Sequence, residues 1–306
     1  MSLGGKWIEG IRPEGSVAEA ARASLSARLA AVGHWLPLAA AAAGDDIEYV
    51  HQLRVSTRRA GAALRLYRDW LPGKPSRWLK KRLRDIRRAA GTARDLDVLT
   101  LRVRQELGEG GGALLEELAA RRAAAQNAIV KIAERSRRDE RLAGNVHKLL
   151  DGIRLGDAKN HRAQAPADFR HWAQQQLAHV ASEFFAAAPQ SDGDPTALHQ
   201  FRIAAKKLRY AIELLAPAFG PELRREHYPM VEKLQERLGK INDHVAGAEQ
   251  LREWSAETSS AENRKLLEQL AERDDAQLAK AIAAFREWWT PERVERLRRG
   301  LLCAGR

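Results

Sequence analysis

The sequence predicts an all-α protein built from two similar four-helix halves. Three observations lead there. Ala, Leu, Arg and Glu dominate the composition while aromatics are only 6%, a mix that favours helix over strand. Apolar residues recur with helical spacing along most of the chain, and no stretch sustains two-residue alternation. A block of sequence also returns at a fixed offset of 148 residues, which is how repeated architectures show themselves.

The helices are delimited by turn-forming clusters of Gly, Pro, Asp and Ser. These breaks fall at Pro37 and Gly44-Asp45-Asp46, Pro72 to Pro75, Gly108 to Gly112, Gly152 to Pro166, Pro189 to Pro195, Pro217 to Pro221, and Thr258 to Ser260. The segments between them are roughly 20–35 residues, long for globular helices, and long helices on short loops pack as antiparallel bundles. The repeat opens with His51-Gln52-Leu53-Arg54-Val55, which returns as His199-Gln200-Phe201-Arg202-Ile203. At the same offset Arg58-Arg59 falls on Lys206-Lys207, Gly91 on Gly239 and Asp95 on Asp243. Upstream, Arg22 falls on Arg170 and Leu29 on Leu177. The expected organisation is a single domain over 15–290, with a first half at 15–140, a linker at 141–159 and a second half at 160–290. A helical tail is expected at 291–306.

The net charge is +12, and its position says more than its size. From His51 to Arg94 there are 14 Lys/Arg and two acids, so this segment carries the whole imbalance. Such a surface attracts nucleic acid, anionic lipid or a phosphate polymer. One cysteine, Cys303, excludes an intrachain disulfide or a cysteine-based zinc site. No apolar run is long enough to span a bilayer and no signal peptide is evident, so a cytoplasmic setting is expected.

On a helix entered through an Asp45 or Asp46 N-cap, Arg54, Arg58 and Arg65 fall within about 40° of each other and close to His51. Leu53, Val55, Leu64, Leu66 and Tyr67 occupy the packing side. In the second copy His199, Arg202, Lys206 and Arg209 line one ridge, with Phe201, Ile203, Leu208, Ile212 and Leu215 on the other side. A third helix adds Arg77, Lys81, Arg84 and Arg88 at three- and four-residue spacing, overlapped by Lys80 and Arg87. Its packing stripe is Leu83, Ile86, Ala90 and Ala93. A solvated helix normally mixes signs, yet no acid lies between His51 and Arg68. A ridge of like charge makes sense where an anion sits on it, and the planar fork of Arg suits phosphate oxygens.

No two histidines are spaced i, i+4 and no H-E-x-x-H occurs, so nothing points to a metal site. No nucleophile–base pair is visible, and no catalytic residue or cofactor is expected. His51 and His199 are read as hydrogen-bonding phosphate, aided by protonation once the anion arrives, or else as capping or core histidines. Asp95 and Asp243 are expected to pair with a base on the neighbouring helix. The eight tryptophans lie mostly near helix ends and off the ridge, which suits packing.

H-Q-L-R-V-S-T-R-R followed by G-T-A-R-D-L-D-V-L, then H-Q-F-R-I-A-A-K-K-L-R-Y followed by L-G-K-I-N-D, resembles the CHAD family (conserved histidine α-helical domain), from about Ser16 to Trp289. The resemblance implies two four-helix bundles related by a pseudo-two-fold axis around a basic channel or groove. It also implies binding of inorganic polyphosphate and association with polyphosphate granules. Carried over by position, the implied ligands are His51, Arg54, Arg58, Arg59, His199, Arg202, Lys206, Lys207 and Arg209, with Arg22 and Arg170 as further candidates. The basic positions Arg65, Lys81, Arg84, Arg88 and Arg94 join them from the ridge itself. The E-x-E-x-K strand of the fused triphosphate-tunnel domain found in many relatives is absent, so a stand-alone, non-enzymatic binding module is expected. The second copy of the third helix is mixed in sign (Glu232, Lys233, Glu236, Arg237, Lys240), which makes the charge lopsided towards the first half. The competing readings are non-specific nucleic-acid binding and a metal-dependent phosphohydrolase using the histidines.

Overall fold

The computed structural model describes residues 5–41, 47–107, 112–153, 168–189 and 194–302. Among these residues there are ten α-helices and no strand. The chain forms two compact units, Met1–Phe169 and Arg170–Arg306.

The first unit holds α1 (Val17–Ala41), α2 (Ile47–Leu66), α3 (Gly73–Leu107), α4 (Gly112–Asp139) and α5 (Arg141–Gly152). α1 starts on a capping box: Glu19 N donates to Ser16 Oγ at 3.2 Å and Ser16 N donates to Glu19 Oε2 at 2.8 Å, so two orphan donors are satisfied reciprocally. The break expected at Pro37 does not occur, because α1 runs through it. Leu36 and Ala39 are buried on either side, and Gln126 Nε2 of α4 donates to the carbonyls of Ala39 (2.8 Å) and Ala40 (3.1 Å). Packing offsets the hydrogen bond that proline removes, and the Gln126 amide caps carbonyls at the end of the helix. The core is Leu25, Leu53, Leu64, Tyr67, Leu79, Ile86, Leu114 and Leu118. It contains the hydrophobic stripes of four helices, as the periodicity predicts.

The expected linker at 141–159 is a helix as far as Gly152 and packs on α1, α3 and α4. Leu149 and Ile153 are buried, so an apolar stripe too short to be noticed between charged residues is enough to dock it. The turn into it uses Glu140 at φ 49°, a left-handed conformation uncommon outside glycine. The Asp45 or Asp46 cap and Cys303 lie outside the described residues.

The second unit holds α6 (Phe169–Ala186, its first residue counted with the first unit), α7 (Pro195–Leu215), α8 (Tyr228–Glu257), α9 (Ala261–Trp288) and α10 (Pro291–Leu302). α7 is capped by Asp194, which accepts from Thr196 N (2.9 Å) and Ala197 N (3.3 Å), with Pro195 in the first turn. α2 and α7 begin 148 residues apart. A π-helical turn, Leu223–His227, leads into α8. Phe184, Phe201, Phe285 and Trp289 form an aromatic core in which Phe184 stacks on Phe201 at 5.0 Å. Trp172 is buried as well, in keeping with tryptophans that pack. Ile203, placed by sequence on the packing side, is 48% exposed. Four residues after His199 it lies only about 40° round the helix from it, within the polar sector.

Candidate anion-binding site

In the first unit α2 and α3 pack side by side, and the α2 ridge overhangs one edge of α3. Arg54 Nη1 reaches Asp95 Oδ1 at 3.5 Å. It does so across Gly91, where a β-carbon would stand 3.1 Å from that nitrogen. The guanidinium of Arg54 holds its proton less tightly than usual, first because it is partly buried; Asp95 opposes the shift, while Arg58, Arg94 and Arg87 add to it. His51 is half-buried beside the same group. Burial pushes its imidazole below the ordinary value, Arg94, Arg58 and Arg54 push it further, and Glu48 acts against them. Arg58 Nε is buried with no hydrogen-bond acceptor among the described residues. Arg54, Arg58, Arg87 and Arg94 thus crowd positive charge beside His51, with Asp95 and Glu48 opposing them, an arrangement that raises the cost of keeping each group charged.

The other expected positions in this unit divide. Lys81, Arg84 and Arg88 are exposed on α3; by helical angle Arg84 and Arg88 lie within about 60° of Gly91. Arg65 is exposed further along α2. Arg22 is exposed on α1 and its Nη2 donates to the Ile153 carbonyl at 3.4 Å. Arg59 is only 8% exposed. It sits about 80° round from His51, inside the apolar arc, so its role is interior and it is not part of the open ridge. Arg87, exposed like the other α3 bases, acts on Arg54 directly, and its position one turn before Gly91 was the available signal.

The second unit keeps the pattern but neutralises it. His199 Nδ1 lies 2.8 Å from Asn242 Oδ1; the residue equivalent to Asn242 in the first unit is Arg94. Arg202 approaches Asp243 at 3.9 Å, the counterpart of Arg54 and Asp95, so both aspartates pair across helices as expected. Lys206 is half-buried and Arg170 exposed. Lys207 is bonded to Glu183 of α6, which holds that carboxylate below its usual range.

Arg209, expected on the ligand ridge, is engaged inside the unit. Its Nε donates to Tyr228 Oη (3.2 Å) and Glu213 Oε1 (3.3 Å), its Nη1 donates to Gln235 Oε1 (3.0 Å), and its Nη2 lies 3.7 Å from Glu232. Tyr228 Oη also donates to Glu213 at 2.8 Å, and Glu213 is 1% exposed. Arg209 lies further round α7 than Arg202 and Lys206, towards α8, and a ridge drawn by angle alone takes it in. Its equivalent in the first unit is Gly61, so it was never a repeated position. Three more exchanges complete the contrast: Arg65, Arg84 and Arg88 correspond to Glu213, Glu232 and Glu236.

Two families of evidence from known proteins bear on this site. The sequence profile of the CHAD domain matches residues 23–252, a span that contains both ridges. The chain belongs to the CHAD family. Among solved structures it is similar to the CHAD domain from the plant Ricinus communis, with a TM-score of 0.73 and 24% identity over 97% of this chain and 95% of that one. It is also similar to PptA from Streptomyces chartreusis, with a TM-score of 0.61 and 16% identity over 90% of this chain and 99% of the other. No curated protein matches. At these identities the likeness is one of fold, so the distinction between a cation-rich first CHAD ridge and a neutralised second one is a property of this chain's own residues. No helix among the described residues is long and apolar enough to cross a membrane.

Proposed function

We propose that this CHAD protein binds inorganic polyphosphate without transforming it, and that the α2–α3 face of its first unit does most of the gripping. The observation that carries the proposal is the crowding of Arg54, Arg58, Arg87 and Arg94 beside His51, with the carboxylates of Asp95 and Glu48 set against them. Like charges held this close lose stability until a counter-charge arrives, and a chain of phosphates supplies one charge per unit along the ridge. Arg65, Lys81, Arg84 and Arg88 extend the same field outward and would guide a flexible polymer to it. Association with polyphosphate granules follows from such binding when the polymer is condensed.

The test is a titration with polyphosphate over a range of salt. Affinity should fall linearly on a log–log scale, as expected when bound counterions are released, and the Arg54→Glu, Arg58→Glu pair should lower both the affinity and the slope. Affinity unchanged in that pair would remove the ridge from the site. Single-stranded RNA added at equal phosphate separates polyphosphate recognition from a general attraction to nucleic acid. Incubation with polyphosphate and magnesium, followed for released phosphate, separates binding from hydrolysis.

A further inference from the structure

A cleft of about 130 Å³ opens on the second unit between α8 and α9, lined by Lys233, Glu236, Arg237, Lys240, Ala281 and Ala284. It is not part of the α7–α8 ridge. Arg237 precedes Asn242, the partner of His199, by five residues, which turns it about 140° round α8. The cleft exists because α9 presents alanines at positions 281 and 284, where longer side chains would fill it.

Three cations meet one carboxylate here. Glu236 is shared by Lys233 (2.8 Å) and Lys240 (3.6 Å), and the hydrogen bond from Lys233 helps hold it ionised. That leaves Arg237 without a carboxylate among the described residues. Arg237 is nonetheless fixed in place. Its Nη1 donates to the Ala284 carbonyl at 3.0 Å, its guanidinium lies 5.1 Å from the Trp288 ring centre, and its Nε is buried with no acceptor. A guanidinium ordered in advance loses little entropy on binding, and its Nη2 remains to donate to a phosphate oxygen. A cleft of this size has room for one tetrahedral anion. In the first unit the equivalent positions are Asp85, Arg88, Ala89 and Thr92, which could not make such a site.

We propose that the α8–α9 cleft is a site for a single phosphate group, separate from the polyphosphate face on α2 and α3. The group could reach it as free orthophosphate or as the end of a phosphate chain, and the chemistry of recognition is the same.

Calorimetric titration of the full chain with orthophosphate tests it. In the Arg54→Glu, Arg58→Glu background, where the α2–α3 face is disabled, the chain should bind one equivalent. Ala281→Leu, which fills the cleft without altering charge, and Arg237→Gln, which keeps polarity but removes the fork, should each weaken binding by about tenfold or more. Retention of orthophosphate binding when Ala281→Leu is added to that background, or no binding in the background itself, would each overturn the proposal. Because Ala281→Leu keeps every charge and hydrogen bond of Arg237, it remains decisive if Arg237→Gln lowers the melting temperature. Tripolyphosphate distinguishes the two sources. A further loss of affinity when Ala281→Leu is added to Arg54→Glu supports the cleft as a seat for chain ends, and no further loss supports it as a seat for free phosphate.

Discussion

Arg54 reaches Asp95 by lying across Gly91, whose missing side chain leaves the space that its Nη1 occupies; a β-carbon there would be 3.1 Å away. The equivalent glycine of the second unit, Gly239, has nothing within 4 Å of the same point. The two glycines therefore make a matched pair of probes. Gly239→Ala should stabilise the fold by about 1 kcal/mol, the usual gain in a helix interior, and leave polyphosphate affinity unchanged. Gly91→Ala should gain less stability and weaken polyphosphate binding by about fivefold, because Arg54 must shift. Urea unfolding and a binding titration on both variants read this directly, and equal effects on binding would show that the seat of Arg54 is unimportant.

The two units should respond differently to charge reversal. Arg54→Glu removes a cation that faces several others and one carboxylate, and should weaken polyphosphate binding by about tenfold or more. Lys207→Glu removes a cation already bonded to Glu183, and should change affinity by less than about threefold. A larger loss from Lys207→Glu than from Arg54→Glu would place the grip on the second unit.

Arg209 is a structural residue by its contacts. Arg209→Ala strands Glu213, which is 1% exposed, and breaking a buried pair this way costs about 3 kcal/mol. Polyphosphate affinity measured below the transition should be nearly that of the wild type. Replacing both Arg209 and Glu213 by leucine should recover much of the stability, since the cost lies in the stranded charge. Chemical denaturation of the three proteins gives the comparison, and a single variant as stable as the wild type would contradict the buried network.

His51 links binding to pH, and the sign can be worked out. An unfolded histidine titrates near 6.5, and folded His51 titrates below that, first through burial and then through Arg94. The unfolded chain therefore takes the proton more readily. The contribution of neutral His51 to stability is full above about pH 6.5 and declines as the pH falls below it. A polyanion on the ridge favours the charged ring, so binding should take up a proton and strengthen as the pH drops through the same range. Calorimetry in two buffers of different ionisation enthalpy measures that uptake, and His51→Gln should abolish it.

Much of this was legible in the residues. The offset of 148 exposed both ridges, because cations on a helix face follow the same angular rule as its apolar stripe. The pairing of Asp95 with Arg54 and of Asp243 with Arg202 was foreseeable for the same reason. What escaped was set by contacts between helices. Arg59 and Arg209 read as ridge residues until their neighbours are known, and α5 read as a linker because Leu149 and Ile153 are few among charged residues. Pro37 read as a break because its cost is local, while the burial of Leu36 and Ala39 that outweighs it depends on neighbouring helices. The room that Gly91 leaves for Arg54 has no sequence signature beyond the glycine itself.

The exchange of Arg65, Arg84 and Arg88 for Glu213, Glu232 and Glu236 gives the two units opposite relations to their surroundings. The first should melt at a temperature that climbs as polyphosphate is added, gaining about 2.7 kcal/mol once the free polymer reaches a hundred times its dissociation constant. The second has no such debt to settle and should hardly notice. A calorimetric trace that is a single peak with polymer should then split without it, the earlier component belonging to α1–α5.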